Sequence, residues 1–244
     1  MRVLLLRFDA PLVSFGKEMV DQNGVVQLFP ALSMLTGLFG NALGLDHRDS
    51  LRLNALQERI RYAARADRRG EALVDYQTVD LGQPWMDPER AGWTTRGKIA
   101  ERGGASGDTT HIRHRHYRAD SVHTVAVSLM EMEAPTVDDL AAALREPARP
   151  LFIGRKCCLP AAPILLAVLE ATSAMAALST TPRAHRADVG PCPAWWWEGD
   201  DATGCVGAGR VFPVTDERDW ANQVHVGRRM MVEGLLDPPE ALHA

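Results

Sequence analysis

Between Arg96 and Arg118 the chain reads RGKIAERGGASGDTTHIRHRHYR, where Arg96, Lys98, Arg102, Arg113, Arg115 and Arg118 are set against only Glu101 and Asp108. Guanidinium and ammonium groups at this density bind phosphate oxygens, and the central GGASG supplies a pliable backbone. His111, His114 and His116 interleave with the arginines and add hydrogen-bonding groups that are partly protonatable beside phosphate. The whole chain carries a formal net charge of -4, so the cation excess belongs to this segment and points to a polyanion. A basic, glycine-containing connection between strands is also compatible with a simple solvated loop. Trp85 and Trp93 upstream and Tyr117 downstream favour nucleic acid, since a single strand lays phosphate on cation and base on ring.

A second cationic stretch is Pro150 to Cys158, read as a strand entering a turn at Gly154, Arg155 and Lys156. The glycine lets the backbone approach a phosphate that the two cations neutralise, although an ordinary charged turn has the same composition. Ser33 and Thr36 stand near the start of a helix, where unpaired backbone amides accept phosphate. Cys157, Cys158, Cys192 and Cys205 match neither a CxxC pair nor a zinc knuckle, and no cysteine or fixed carboxylate accompanies the histidines. No metal and no cofactor is therefore expected.

The elements that must position these groups follow from periodicity. With 244 residues and 46% hydrophobic, the chain can form one large or two modest units. It holds no apolar run of the roughly 18 residues a membrane span needs, and Val3 to Leu6 is too short for a signal peptide, so a cytoplasmic protein is expected. Val3 to Phe8 reads as a buried strand and Ser14 to Leu28 as a surface loop. Leu32, Leu35, Leu38, Phe39, Ala42 and Leu43 recur at helical spacing after Pro30. Gly37, Gly40 and Gly44 on this helix imply tight packing or the close approach of a ligand. A helix over Ser50 to Ile60, a strand over Tyr62 to Ala66 and a strand over Leu73 to Val79 follow. Gly82 to Thr110 is a long insertion, of the kind that is usually functional. Ile112 to Met130 returns as a strand, and Thr136 caps a helix ended by Pro147. Ile164 to Leu178 reads as strand plus short helix. Trp195, Trp196 and Trp197 on one strand cannot all face one core, so at least one is expected on a partner surface. Two short strands, Val211 to Val214 and Gln223 to Gly227, close the chain. Strand, helix, strand, strand, helix, strand is an α+β, ferredoxin-like (RRM-like) order with helices on one sheet face.

VLLLRFDAPLVSFGK, FPALSMLTGLFGNALGL, DYQTV, HIRHRHYRAD leading into VHTVAVSL, and RPLFIGRKCCLPAAPI, in this order, resemble the CasD family of CRISPR-associated proteins. This is the subunit numbered five in the general Cas nomenclature, in its type I-E form. The resemblance runs from Val3 to about Pro163, with a weaker echo over Val211 to Gly234. It implies a repeat-associated RNA-binding (RAMP) fold: a ferredoxin-like domain over 1–163 with a β-hairpin thumb inserted at about 82–118, and a smaller β-rich unit over 164–244. It also implies a non-catalytic subunit of the Cascade surveillance complex that holds the 5′ handle of the CRISPR RNA. Its neighbours would be a CasC-like backbone subunit and a CasA-like large subunit, and target DNA would be met through the guide. In a related subtype the corresponding subunit cuts precursor RNA, a metal-independent cleavage for which His114 or His116 with Tyr117 and Arg115 would supply base, acid and cation, although a simple binder calls for the same histidines. Phe15-Gly16 stands where family members often have Trp-Gly, and Cys157-Cys158 where they have Ser-Cys.

Overall fold

The computed structural model describes residues 1–19, 22–80, 110–130 and 133–240. Along the chain come β1 (Arg2–Val13), β2 (Asn23–Gly24), α1 (Leu32–Ala42), α2 (Ser50–Arg59), β3 (Ile60–Arg68), β4 (Glu71–Asp80), β5 (Thr110–Leu129), α3 (Val137–Arg145), β6 (Leu165–Glu170) and α4 (Ala174–Thr180). They are followed by β7 (Cys192–Trp197), β8 (Cys205–Val214), β9 (Glu217–Asp219), β10 (Val224–Val226) and β11 (Arg229–Leu236). The main sheet has the order β6-β1-β5-β3-β7-β11-β8. Its first four strands are mutually antiparallel, with α1 between β1 and β3 and α3 between β5 and β6, which is the ferredoxin-like arrangement. Beyond residue 163, β6 pairs with β1 and β7 with β3, while β9 and β10 form a separate two-stranded hairpin.

Both faces of the sheet are buried, and the period of two sorts side chains between them. Leu4, Leu6 and Phe8 of β1 join Val125 and Val127 of β5 in the core under α1 and α3. Val3, Leu5 and Ala126 face the opposite way, into a smaller core under α4. The expected one-sided placement therefore holds for α1 and α3 and not for α4. This second core also accounts for the tryptophans. Trp195 stacks on Phe29 at 5.5 Å in the first core, and Trp196 is buried in the second. Trp197 is half-buried, with the guanidinium groups of Arg61 and Arg229 at 4.3 and 4.5 Å from its ring. All three find partners within the chain.

β5 is 20 residues long, twice what the sheet needs, so its first half projects as an arm. There β4 pairs with it from Glu71↔Ala119 to Asp80↔Thr110, giving the protruding hairpin. Its base turns at Gly70, with φ +61°, where a Cβ would lie 2.3 Å from the Ala119 carbonyl oxygen. Residues 81–109 lie outside the described residues, and Arg96, Lys98 and Arg102 are among them.

Two local expectations change. The loop after Ser14 is not wholly free of the sheet, since Asn23 and Gly24 run parallel to the arm opposite His114 and Arg115. The strand expected over Pro150 to Cys158 is absent. Pro150 and Pro160 lack ladder donors, and the segment folds on itself through Ile153 N to Cys158 O at 2.8 Å and Cys158 N to Arg155 O at 2.8 Å. The expected capping box of α3 is present, with Asp139 N donating to Thr136 Oγ1 at 3.2 Å and Thr136 N donating to Asp139 Oδ2 at 2.8 Å. Among the described residues no helix is long and apolar enough to cross a membrane.

Candidate nucleic-acid interface

A groove of about 680 Å³ runs between the β5 arm and the β9–β10 hairpin, with α1 as its floor. Its volume lies within the ~300–1,000 Å³ of ordinary ligand sites. Ser33, Met34, Gly37 and Leu38 of α1 line the floor; Arg113, His114 and Arg115 come from the arm; Arg218, Trp220 and His225 come from the hairpin. Among the described residues Lys17, Arg149 and Arg155 complete the set of Lys and Arg residues on the lining, and Asp46 is the one carboxylate there. In a chain of net charge -4, this is a local field that concentrates an anion.

The arm positions its cations by strand alternation. Arg113 and Arg115 share a face with Tyr117, whereas His114 and His116 share the other with Ile112. Arg115 Nε donates to Gln77 Oε1 at 2.7 Å, and Gln77 Nε2 donates to Asp75 Oδ2 at 2.6 Å, a tether across the hairpin. Arg113 lines the groove and has no hydrogen bond or ion pair among the described residues. His114 packs its ring on Tyr76 at 5.3 Å, and its Nδ1 is buried with no hydrogen-bond partner among the described residues. The side chain of His111 lies outside what the structure describes.

Three expected phosphate ligands have work inside the fold. Arg118 donates from Nη2 to the Arg69 and Gly70 carbonyls, both at 2.6 Å, and holds the base of the hairpin. Arg155 donates to the carbonyls of Gly24 at 2.8 Å and His116 at 2.7 Å, pinning β2 to the arm, and lies 4.8 Å over the Tyr117 ring. Gly154, at φ +95°, is needed because a Cβ there would lie 1.9 Å from the Ser14 carbonyl oxygen. Lys156 is exposed and does not line the groove.

Ser33 lines the groove, but the amides expected to be open at the start of α1 are occupied. Leu32 N donates to Asp216 Oδ2 at 2.8 Å and Ser33 N to Asp216 O at 2.9 Å, while Thr36 Oγ1 is buried on Leu32 O at 2.9 Å. Arg229 grips the same carboxylate through Nε and Nη2, each at 2.6 Å. A phosphate at this helix end would face a carboxylate.

The strand does not gather a catalytic set. Tyr117 is buried on the side of β5 away from His114 and His116, its hydroxyl 3.5 Å from Cys157 Sγ, and burial pushes the phenol up. Burial lowers His123 to about 4, so it stays neutral inside the core. Among the described residues no group of three His, Cys, Asp or Glu side chains is placed to hold a metal ion. Lys17, Arg149, Arg218, Trp220 and His225 were not singled out from the sequence. They are spread over the whole chain and share no local pattern.

The profile of the family described as CRISPR-associated protein (Cas_Cas5) matches residues 3–232. The "CRISPR system Cascade subunit CasD" of Escherichia coli (strain K12) is 27% identical over 175 residues, covering 72% of this chain and 75% of that protein. A chain of a "CRISPR RNA-guided surveillance complex" superposes with a TM-score of 0.66 at 24% identity, over 97% of this chain and 91% of that one. A "Crystal structure of Cas protein" does so with a TM-score of 0.61 at 22% identity, over 98% of each chain. At those identities the superpositions speak for the fold, a ferredoxin-like sheet with protruding strands. The family match spans nearly the whole chain, and this protein belongs to the CRISPR-associated protein (Cas_Cas5) family.

Proposed function

We propose that this chain is a non-catalytic RNA-binding subunit of a type I-E Cascade-like surveillance complex and that its groove holds the 5′ handle of the CRISPR RNA. The observation that carries this reading is the groove itself: Lys17, Arg113, Arg115, Arg149, Arg155 and Arg218 against Asp46. Single-stranded RNA fits it because phosphates can lie on the cationic walls while splayed bases reach the apolar floor. Arg113 and Arg115 make direct phosphate contacts, and Arg155 and Arg118 act mainly by holding the arm that carries them. Arg96, Lys98 and Arg102, which lie outside the described residues, and His111 are proposed as further RNA contacts.

In this reading 1–163 supplies the floor and the β5 wall of the groove, while 164–244 adds β6 to the ferredoxin-like sheet and supplies the hairpin wall. Target choice is left to guide pairing. The neighbours would be a CasC-like backbone subunit and a CasA-like large subunit, in the cytoplasm. The test is incubation of the full chain with labelled CRISPR-repeat RNA in EDTA, scored for both mobility shift and cleavage. Salt-sensitive binding without a cut is expected. A discrete cut abolished by His114→Ala or His116→Ala would replace this reading with a processing ribonuclease.

A further inference from the structure

Glycine inside a helix weakens it relative to alanine, so a helical glycine calls for a reason. Among the described glycines, all but two have one in the chain itself. Some take a positive φ, as Gly44, Gly70 and Gly154 do. At others an added Cβ would collide: Gly40 at 2.7 Å from Leu53 Cδ2, Gly209 at 2.4 Å from Val232 Cγ1, and Gly234 at 2.7 Å from Trp196 Cη2. The exceptions are Gly16, where a Cβ would meet nothing within 4 Å, and Gly37, where it would sit in ordinary contact 3.5 Å from Trp220 Cη2. Both line the groove. The fold would accept alanine at either position, and what glycine adds there is open space facing the ligand site.

The neighbour of that space is an aromatic ring held firmly in place. Trp220 N donates to Asn54 Oδ1 at 3.2 Å, its Nε1 donates to Gln57 Oε1 at 3.2 Å, and the Arg218 guanidinium lies 5.4 Å from its ring. The indole is half-buried, with Cη2 next to Gly37. Met34 and Leu38 also line the floor, while Arg113 and Arg115 stand on the arm. A flat ring beside bare helix backbone, with cations on the other wall, matches a nucleotide whose base has left the stack and whose phosphates stay with the arginines.

Building on the RNA-binding reading, we propose that Gly37 and Trp220 form a subsite for one unstacked base of the bound RNA. The indole stacks on the base, and Gly37 gives the base edge room against α1. Because every base has a π-face, the subsite selects an unpaired nucleotide at one position and tolerates different bases there.

The test uses the full-length chain and a fluorescein-labelled single-stranded copy of the CRISPR repeat of its host, with a single abasic nucleotide walked along the RNA. The parent chain should show one position where base removal weakens binding about 5- to 150-fold, the loss expected for one stacked base. Trp220→Ala should show a similar loss on intact RNA and become indifferent to the abasic nucleotide at that position. Trp220→Phe should recover most of the affinity. Gly37→Ala should unfold at a higher temperature than the parent, as a helix gaining alanine does, and still bind intact RNA more weakly. Parent-like binding by Gly37→Ala and Trp220→Ala, or abasic losses that add to theirs at every position, overturns the subsite and leaves the groove reading standing. Failure of the parent chain to bind the RNA in a salt-sensitive way overturns the groove reading first, and the subsite with it.

Discussion

Replacing Asp216 with alanine removes two supports from beneath the groove at once. The carboxylate neutralises Arg229, which is 5% exposed, and it caps α1 through Leu32 N at 2.8 Å. Arg229 also donates to Tyr62 Oη at 2.7 Å, and Tyr62 in turn donates to the Pro30 carbonyl just before α1, so the network fixes where the helix begins. Leaving a buried guanidinium unpaired costs about 3–5 kcal/mol. Losing an N-cap costs about 1 kcal/mol more. Together these make about 4–6 kcal/mol, a large share of the roughly 5–15 kcal/mol that holds a typical domain. For a chain of this size each kcal/mol moves the midpoint by about 2–4 °C, so Asp216→Ala should melt about 8–24 °C lower. The contacts Arg229 keeps with Tyr62 and with the Trp197 ring at 4.5 Å favour the lower half of that range. Thermal unfolding followed by circular dichroism measures it. The paired change Asp216→Leu with Arg229→Met removes both charges and should be more stable than either single change, since no lone charge is left buried. A loss below about 2 kcal/mol for Asp216→Ala, or a double variant no better than the singles, would refute the idea that this pair sets the floor of the groove.

Other outcomes follow from single sites. His123 is held neutral with its pKa lowered to about 4, so the unfolded chain takes up a proton more readily than the folded one. The stability this contributes is full above about pH 6.5 and is lost as the pH falls toward 4, by up to about 3 kcal/mol. Urea midpoints measured from pH 7 to 4 should flatten in His123→Asn, and an unchanged slope would refute the assignment. At Gly234 a Cβ would lie 2.7 Å from Trp196 Cη2 and 3.1 Å from Cζ3, so Gly234→Val should overpack the second core and cost about 1–3 kcal/mol in chemical denaturation. Arg118→Ala should speed amide exchange at the base of the β4–β5 hairpin, where it holds the Arg69 and Gly70 carbonyls, whereas Arg113→Ala should leave exchange there unchanged. Equal effects of the two on exchange would remove the distinction drawn between a structural and a ligand-facing arginine.

The features legible in the sequence were those whose causes are local. Leu4, Leu5 and Leu6 sit in a sheet buried on both faces, which is why β1 reads as an unbroken apolar run. Thr136 and Asp139 carry their capping box within four residues. The basic first half of β5 was legible because Arg113, Arg115 and Arg118 are neighbours in the chain. What was hidden depends on residues far apart. The start of α1 looks open to phosphate until Asp216, 184 residues beyond Leu32, closes it. Arg155 reads as a phosphate ligand in its turn, and only the Gly24 and His116 carbonyls reveal it as a clamp. Ile153 looked like strand, yet its amide donates to the Cys158 carbonyl of its own turn. Trp220 carried no signal of its own, because its role depends on facing Gly37 from another part of the fold.

The most direct test of where RNA lies is photo-crosslinking of the assembled complex carrying its own CRISPR RNA substituted with 4-thiouridine, followed by peptide mapping. RNA held in the groove gives crosslinked peptides from the arm, the floor and the hairpin, around Arg113 to Tyr117, Ser33 to Leu38 and Arg218 to His225. Crosslinks confined to the opposite face of the sheet, over α4, with none from these three segments, would contradict it.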